Sequence, residues 1–495
     1  MLLRRSAALL LLALGASGAL ASAGANARAP VPDAVGVETN PYSAVVKWKV
    51  SEPARIVVEV GIDDRYGIWS PTTMAHDAQT GRTTLTGLEP ATSYRFRVVA
   101  RWRSGGLSEA RGSFRTDPWP GSIAASAEPT SIGGATPSGS ASPFVLPPAL
   151  PPGVKPGANS PPTSSLPSAT PRAISSAPLR VNGHAIFPRM VWRQCPTYHP
   201  TSIGAGINLF LGVSCTGPEE QLDSLAGRAL STVDAHTPGI NGPGVVGWHL
   251  QDEADVSVGD ASRLPSPKAD GRVTFLTLTD HFSEHTAPPP NGKGIYPAFY
   301  ERADVIGFDT YPVEVRCNIA VIDNVYRFQR ELIALTGGKP TFQWIEAGPM
   351  EHCRWNEDPT PAVVRAETWL AIAGGASGVG YFPDYWAEDI RNEIRRTNRE
   401  ILALAPALLA SVAPANWSTE SAVRVAARRF NGATYVVAVN TSTSPTTATF
   451  NVPGLGGRKL QVFSDGRTVS PLGDLVVDKL GGLGVAVYIV PPPGW

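Results

Sequence analysis

The strongest constraint on the fold is a series of eight apolar runs that alternate with helical patterns between residues 179 and 410. The runs lie at residues 186–192, 207–212, 229–233, 245–250, 273–278, 305–309, 341–345 and 378–382. Helical patterns lie at residues 219–225, 319–335, 361–373 and 389–404. Apolar strands joined by helical crossovers over about 230 residues predict a (β/α)8 TIM barrel. A doubly wound sheet is the alternative, but no glycine-rich nucleotide-binding loop follows any run.

The sequence on either side of the predicted barrel divides into smaller modules. Residues 30–117 hold short alternating runs separated by turn residues, which predict an N-terminal β-sandwich. Residues 118–178 carry only three charges amid repeated Pro, Ser, Ala and Gly, so we expect a semi-stiff linker without a core. Residues 411–495 again hold strand-like runs and predict a C-terminal β-sandwich beside the barrel.

Residues 1–29 have the organisation of a secretory signal peptide. Arg4 and Arg5 precede an apolar run over residues 7–20, and an A-x-A-like pattern of small residues follows at residues 21–23. The apolar run is short for a transmembrane span, and an N-terminal anchor helix is the alternative. We therefore expect a secreted or cell-surface protein in a compartment where disulfide bonds persist.

The charge balance argues against a nucleic-acid partner. The chain has 42 Lys+Arg and 42 Asp+Glu, so its formal net charge is zero. Proteins that bind polyanions normally carry a basic surface. We expect a monomer with no nucleic-acid partner and no stable membrane insertion.

Two glutamates follow predicted barrel strands, at the end where barrels of this kind carry active sites. Glu253 follows the fourth run, and Glu346 follows the seventh. A carboxylate at the end of a buried strand is costly unless it has a partner or a function. Two such groups facing one pocket would differ in pKa, and cleavage of a glycosidic bond needs one acid and one base or nucleophile. A structural ion pair, or a barrel that has lost activity, is the alternative.

The two positions resemble the acid/base and the nucleophile of clan A glycoside hydrolases. The segment LRVNGHAIFPR at residues 179–189 is similar to the start of those barrels. RAETWLAIAGGA at residues 365–376, followed by GYF at 380–382, resembles the seventh helix and eighth strand of such enzymes, including family 42 β-galactosidases. The resemblance implies a retaining hydrolase that acts on a carbohydrate without a cofactor or metal, with its two carboxyl groups about 5–5.5 Å apart.

Six further residues are expected to contact the substrate: Arg193, His249, Asp252, Tyr311, Trp344 and Trp386. For Arg193 and His249 the alternative is a position at the rim or behind the residues that touch the substrate. The resemblance implies that Tyr311 hydrogen-bonds the nucleophile, and a half-buried rim position is the alternative. Trp344 and Trp386 are candidates for stacking on sugar rings, and Trp386 is the better of the two; a core position is the alternative. Asp252 stands where the clan usually has Asn, and an ionised carboxylate accepts hydrogen bonds but does not donate them.

The segment LEPATSYRFRV at residues 88–98 resembles a fibronectin type III module. The resemblance implies that the hydroxyl of Tyr94 forms a corner hydrogen bond and that Trp48 fills the core of the sandwich. Such modules are usually spacers or binding units, so this one and the linker would let the barrel reach an extended polysaccharide or cell-surface glycan.

The four cysteines follow neighbouring predicted strands in pairs. Cys195 and Cys215 follow the first and second strands, and Cys317 and Cys353 follow the sixth and seventh. Because loops of adjacent strands lie side by side, we predict the disulfides Cys195–Cys215 and Cys317–Cys353. A catalytic cysteine is the weaker alternative.

Residues 281–285 match the H-x-x-E-H pattern of inverted zinc proteases. Three prolines at residues 288–290 follow it at once, so the helix that this zinc site needs is not expected, and we predict a loop beside the barrel mouth. Two other functional classes remain open from the sequence. One is a non-catalytic carbohydrate-binding or adhesion protein on a degenerate barrel. The other is a metal-dependent barrel hydrolase, which is disfavoured because strand one lacks the usual His-x-His.

Overall fold

The computed structural model describes residues 31–119 and 174–495, except 77–78, 104, 236–241, 243, 267–269, 351, 354–357 and 418–420. The predicted signal peptide and nearly all of the predicted linker lie outside the described residues. Within the described ranges, no helix is both long enough and apolar enough to span a membrane.

The N-terminal module is a pair of antiparallel sheets. One sheet has the order β1-β2-β6, with strands β1 (Asp33–Asn40), β2 (Ser43–Lys49) and β6 (Thr80–Thr86). The other has the order β4-β3-β7-β8, with β5 also paired to β3; its strands are β3 (Ala54–Gly61), β4 (Ile68–Trp69), β5 (Thr73–Ala75), β7 (Ser93–Trp102) and β8 (Leu107–Arg115). Trp48 is fully buried between the sheets, and the Tyr94 hydroxyl accepts a hydrogen bond from the Glu89 amide at 2.9 Å. Both expected contacts are present, and the fibronectin type III assignment itself stays a prediction.

The central module is a closed barrel of eight parallel strands that follow one another in chain order, as predicted. The strands are β11 (Arg189–Trp192), β12 (Leu209–Leu211), β13 (Leu230–Asp234), β14 (Val245–Gln251), β15 (Val273–Thr279), β16 (Val305–Asp309), β17 (Thr341–Glu346) and β18 (Gly378–Phe382). A hairpin of β9 (Leu179–Val181) and β10 (His184–Ile186) precedes them. The first strand begins later than predicted because Pro188, which has no amide hydrogen for a ladder, separates Ile186 from β11.

Helices follow most of the barrel strands. They are α1 (His199–Gly204), α2 (Pro218–Leu225), α3 (Ala254–Ser257), α4 (Tyr296–Arg302), α5 (Asp323–Leu335), α6 (Pro361–Gly374) and α7 (Glu388–Leu408). The helix predicted from residue 319 begins instead as a short 3-10 turn before α5. The buried side chains of α5 and α7 recur at helical spacing, so each helix places one apolar face against the barrel.

Two glycines make room for aromatic side chains inside the barrel. A Cβ atom on Gly307 would lie 2.1 Å from the Phe342 ring, and one on Gly380 would lie 2.2 Å from the Trp344 ring. Phe342 and Trp344 pack edge to face with ring centroids 5.6 Å apart. The glycines on β16 and β18 therefore let β17 direct two large rings into the interior.

The C-terminal module is also a pair of sheets, with orders β19-β21-β22-β27-β24-β25 and β20-β23-β26. Its strands are β19 (Val412–Ala413), β20 (Asn416–Trp417), β21 (Val423–Phe430), β22 (Ala433–Asn440), β23 (Thr446–Asn451), β24 (Leu460–Val462), β25 (Thr468–Val469), β26 (Leu475–Leu480) and β27 (Val485–Val490). Helices α6 and α7 contact its larger sheet. The predicted sandwich beside the barrel is therefore present.

Polar contacts join the N-terminal module to the other two. Arg189, at the start of β11, is almost fully buried and its guanidinium donates to both carboxylate oxygens of Glu89 at 2.7 and 2.9 Å. The Tyr435 hydroxyl of the C-terminal module donates to the Gly67 carbonyl at 2.9 Å. The three modules thus pack directly against one another.

Candidate active site

Glu253 stands at the carboxyl end of β14, at the cap of the short helix α3. Its backbone has φ 43° and ψ 47°, a left-handed conformation that a non-glycine residue adopts at a cost of about 1–3 kcal/mol. Its side chain is exposed, whereas the following residue, Ala254, is fully buried. Strained backbone of this kind concentrates at functional sites, and here it presents a carboxyl group at the barrel mouth.

Two further carboxyl groups, those of Asp252 and Asp309, lie near Glu253. Asp309, at the end of β16, lies within range of the charges of Glu253 and Asp252. Burial is the main cause that raises the pKa of Asp309 well above its ordinary value, and the neighbouring carboxylates raise it further. Burial also raises the pKa of Asp252 to about 6, against the opposing charges of His249 and Arg193. This acidic group can therefore hold protons close to neutral pH.

Two predicted substrate residues, Arg193 and His249, lie next to the cluster of Asp252, Glu253 and Asp309. Asp234, at the end of β13, accepts a hydrogen bond from Arg193 Nη2 at 3.0 Å and lies 3.4 Å from His249 Nδ1. The indole of Trp192 contacts the His249 ring edge to face, with centroids 4.8 Å apart. Arg193, His249 and Asp252 are thus brought together at one side of the mouth.

Glu346 ends β17 and is fully buried. Its carboxylate accepts hydrogen bonds from the backbone amides of Val313 at 2.9 Å and Glu314 at 2.8 Å. On its other side lies Glu367 of α6, also fully buried, whose pKa is raised well above the ordinary value, first by burial and then by the charge of Glu346. Burial raises the pKa of Glu346 as well, whereas the hydrogen bonds from Glu367 and the two amides lower it. Glu367 is therefore the carboxyl group of this pair that more strongly favours its neutral form.

Tyr311 borders both acidic groups. It is 8% exposed, and its ring stacks on Phe382 with centroids 6.0 Å apart. Burial raises its pKa first, followed by the charges of Asp309, Asp252, Glu253 and Glu346. Glu253 has the acidic neighbours Asp252 and Asp309, whereas Glu346 has Glu314 and Glu367. Tyr311 is affected by the charges of both glutamates.

The expectation that Trp344 and Trp386 stack on a sugar is wrong for this structure. Trp344 lies inside the barrel at 2% exposure and donates from Nε1 to Thr277 Oγ1 at 3.2 Å. Trp386 is 5% exposed and donates to the Pro383 carbonyl at 2.8 Å. Packing of both rings leaves neither face free, so the core alternative holds. The exposed aromatic of this loop is Tyr385, next to Trp386, at 71% exposure.

Both predicted disulfides, Cys195–Cys215 and Cys317–Cys353, are confirmed, with Cα atoms 5.3 and 5.7 Å apart. The second bond joins the segment that binds Glu346 to the loop after β17. The loop predicted for residues 281–285 is confirmed as well, because a 3-10 turn at Asp280–Phe282 ends before an irregular segment. No group of three or more His, Cys, Asp or Glu within the described ranges is placed to hold a metal ion.

The sequence analysis does not single out Asp234 and Asp309, which the structure places beside the candidate site residues. Both are the last residue of a barrel strand, which is the same signal that selected Glu253 and Glu346. The third run was predicted to end at residue 233, one residue short of Asp234. Asp309 was passed over in favour of Tyr311, two residues later, so applying the strand-end rule to every strand would have found both.

No family model matches the sequence, and no curated protein matches it. Among solved structures, a glycoside hydrolase family 5 protein from Bacteroides vulgatus is similar with TM-score 0.44 and 14% identity, over 65% of this chain and 93% of that chain. A family 30 endoxylanase from Clostridium papyrosolvens has TM-score 0.38 and 10% identity, over 65% and 98%. A family 27 β-L-arabinopyranosidase from Geobacillus stearothermophilus has TM-score 0.36 and 14% identity, over 50% and 59%. Similarities this low assign neither a family nor an activity.

Proposed function

We propose that the chain is a secreted retaining glycoside hydrolase that cleaves O-glycosidic bonds of a polysaccharide or glycan. The observation that carries the proposal is the acidic group of Asp252, Glu253 and Asp309 at the carboxyl end of a closed (β/α)8 barrel. Cleavage of a glycosidic bond needs a protonated group beside the leaving oxygen, and carboxyl groups with raised pKa values supply one at neutral pH.

Glu253 is the proposed acid/base. Its side chain is exposed at the mouth, so it is accessible to a leaving oxygen. The carboxyl group of Asp309, whose pKa is raised well above its ordinary value, lies within range of its charge. In the first step it would donate its proton to the departing sugar oxygen, and in the second it would take a proton from the attacking water.

Glu346 is the proposed nucleophile. Burial raises its pKa overall, and the hydrogen bonds from two backbone amides oppose that effect by favouring the ionised form that attack requires. Because its carboxylate is fully buried, attack also requires that Val313 and Glu314 move away and open it to the mouth. The charges of both proposed catalytic glutamates act on Tyr311, so this side chain lies near each of them.

Hydrolysis of a panel of aryl glycosides and polysaccharides tests the proposal. We expect Glu253→Gln and Glu346→Gln each to lower kcat about 100-fold or more on a substrate that the wild type cleaves. Glu284→Gln is the matched control, because the Glu284 side chain is 77% exposed and contacts His285 rather than the acidic group. Near-full turnover by Glu346→Gln would remove the nucleophile assignment. A folded wild type that hydrolyses no member of the panel would remove the enzymatic proposal.

The stereochemistry of the product tests the retaining mechanism separately. NMR of the first product formed should show the anomer of the substrate. An inverted anomer would leave Glu253 as the acid but would require a water, rather than Glu346, as the attacking group.

A non-catalytic carbohydrate-binding protein is the second candidate. The observation that favours it is the burial of Glu346, because two backbone amides and a protonated Glu367 also suit a carboxylate that only anchors a loop. Calorimetry that detects a glycan bound at the mouth, without hydrolysis over days, would support this function over the first.

A further inference from the structure

Arg193 and Asp234 form an ion pair at the barrel mouth, and the chain makes room for it. Arg193 follows β11 with a left-handed backbone, φ 38°, and its Nη2 donates to Asp234 Oδ1, at the end of β13, at 3.0 Å. Strand β12 lies between those two strands, and Gly212 follows it. A Cβ atom on Gly212 would lie 2.9 Å from Arg193 Cγ and 3.5 Å from Asp234 Oδ1. The glycine therefore lets the arginine side chain cross β12 and reach the carboxylate.

Two rings hold this ion pair in place. The His249 side chain is 3% exposed, and its Nδ1 lies 3.4 Å from Asp234 Oδ1. The half-buried Trp192 indole contacts the His249 ring edge to face, and the Arg193 guanidinium lies 5.1 Å from the centroid of the Trp192 ring. His249 therefore supports Asp234 from behind, whereas Arg193 and Asp234 face the mouth with side chains that are 42% and 22% exposed.

The open groups of the ion pair complement hydroxyl groups. In the described part of the chain, both contacts of Asp234 go to Oδ1, so Oδ2 remains an acceptor for a further hydrogen bond. Arg193 has further N–H donors besides the one that it gives to Asp234. We propose that Arg193 and Asp234 form a subsite for two adjacent hydroxyl groups of a neutral sugar, with the guanidinium donating to one hydroxyl and Oδ2 accepting from the other. This inference rests on the proposed function, since it names the class of sugar that the same mouth binds.

The charges around the ion pair favour a neutral sugar over a uronic acid. Burial raises the pKa of Asp252, and the charges of His249 and Arg193 oppose that rise, so Arg193 lies near this second carboxyl group as well as near Asp234. A uronate carboxylate that bound Arg193 would have to displace Asp234 or lie beside two carboxyl groups, and like charges placed together repel. The half-buried Trp192 indole next to Arg193 offers apolar surface to the C–H groups of a sugar ring.

Binding of simple sugars tests the subsite without using activity. Saturation-transfer NMR titrations with the methyl glycosides of glucose, galactose, mannose and xylose, and with methyl glucuronide, measure Kd values in the millimolar range. We expect at least one neutral glycoside to bind more tightly than the glucuronide. No binding of any neutral glycoside to the folded wild type, or tighter binding of the glucuronide, would overturn the inference.

Asp234→Ala should raise the Kd of the best-bound neutral glycoside about tenfold or more, because a hydrogen bond to a charged group is lost. Asp270→Ala is the matched control. Asp270 pairs with Arg272 at 3.7 Å, and the Arg272 guanidinium lies 5.5 Å from the Trp248 ring centroid, but this group precedes β15 at the opposite end of the barrel. Its Kd should equal that of the wild type. Arg193→Ala truncates an exposed side chain and should weaken binding to a similar extent, so the test remains available if Asp234→Ala does not fold. An unchanged Kd in a folded Asp234→Ala or Arg193→Ala variant would overturn the inference.

Deoxy analogues of the best-bound glycoside separate a direct contact from a structural role. Removal of the contacted hydroxyl should weaken binding to the wild type about tenfold but leave binding to Asp234→Ala little changed, because its partner is already absent. Equal losses in both proteins at every hydroxyl position would overturn the inference. The expected pattern in a protein without hydrolytic activity would keep the subsite and reject the enzymatic proposal. Hydrolysis that depends on neither Asp234 nor Arg193 would do the reverse, so the two failures are distinguishable.

Discussion

Removal of the Cys317–Cys353 disulfide should destabilise the barrel by about 4 kcal/mol. The bond joins residues 36 positions apart, and the entropy of closing a loop of that length gives about 3.8 kcal/mol at 25 °C. The Cys195–Cys215 bond spans 20 positions and gives about 3.3 kcal/mol on the same relation. Replacing either pair with serines should therefore lower the free energy of unfolding by a similar amount.

The two disulfides hold different segments of the barrel in place, and only Cys317–Cys353 lies next to the segment that binds Glu346. Cys317 lies three residues after Glu314, whose amide, together with that of Val313, binds the carboxylate of Glu346. Loss of the Cys317–Cys353 bond should release this segment and leave the buried carboxylate with fewer donors. Amide hydrogen exchange at residues 313 and 314 should then become faster, whereas loss of the other bond should leave that exchange unchanged.

Denaturant unfolding followed by tryptophan fluorescence measures the change in the free energy of unfolding. Hydrogen exchange with mass spectrometry measures the change in amide exchange at residues 313 and 314. The serine pair at positions 195 and 215 is the matched control for both. An unfolding free energy within about 1 kcal/mol of the wild type would refute the entropic argument for this loop. Equal exchange at residues 313 and 314 in both double variants would show that the Cys317–Cys353 disulfide does not hold the segment that binds Glu346 in place.

Three further perturbations have defined outcomes. Burial raises the pKa of Glu367 well above its ordinary value of 4.5, so wild-type stability should fall by about 1.4 kcal/mol per pH unit between pH 4.5 and that raised pKa, where the unfolded chain ionises and the fold does not. The Glu367→Gln variant has no carboxyl group to ionise, so its melting temperature should be higher than that of the wild type at pH 8 and the same at pH 4. Equal melting temperatures at pH 8 would contradict the raised pKa of Glu367. Gly380→Ala should cost about 1–3 kcal/mol because the new methyl group meets the Trp344 ring, and Gly204→Ala, whose Cβ meets nothing within 4 Å, is its control in thermal melts. Glu89→Gln should lower the unfolding free energy by about 3 kcal/mol because it leaves the buried Arg189 charge unpaired, and a melting temperature equal to that of the wild type would argue against this ion pair.

The barrel could be predicted because its signal is carried by many residues at once. Eight apolar runs, separated by helical patterns, leave few other ways to bury the strands on both faces. The hairpin of β9 and β10 was missed because its two strands have only three residues each and the apolar run continues past Ile186 into β11. The disulfides followed from the barrel, since strand order alone decides which loops are neighbours.

The environment of each site residue could not be predicted to the same extent. That Glu253 and Glu346 come at strand ends follows from the apolar runs, but whether a strand-end carboxylate is open or covered depends on the loops. Glu253 is exposed because its backbone turns into the left-handed region, whereas Glu346 is covered because the segment after β16 folds over it. Trp386 is buried for a similar reason, as its loop folds back so that its indole meets the Pro383 carbonyl.

The most direct test of the proposed function is the rate at which purified wild-type protein releases sugar from aryl glycosides and polysaccharides, compared with Glu253→Gln under the same conditions. We expect measurable hydrolysis of at least one substrate by the wild type and a loss of about 100-fold or more in the variant, with both proteins folded. Equal hydrolysis by the two proteins, or none by a folded wild type that still binds glycans, would contradict it.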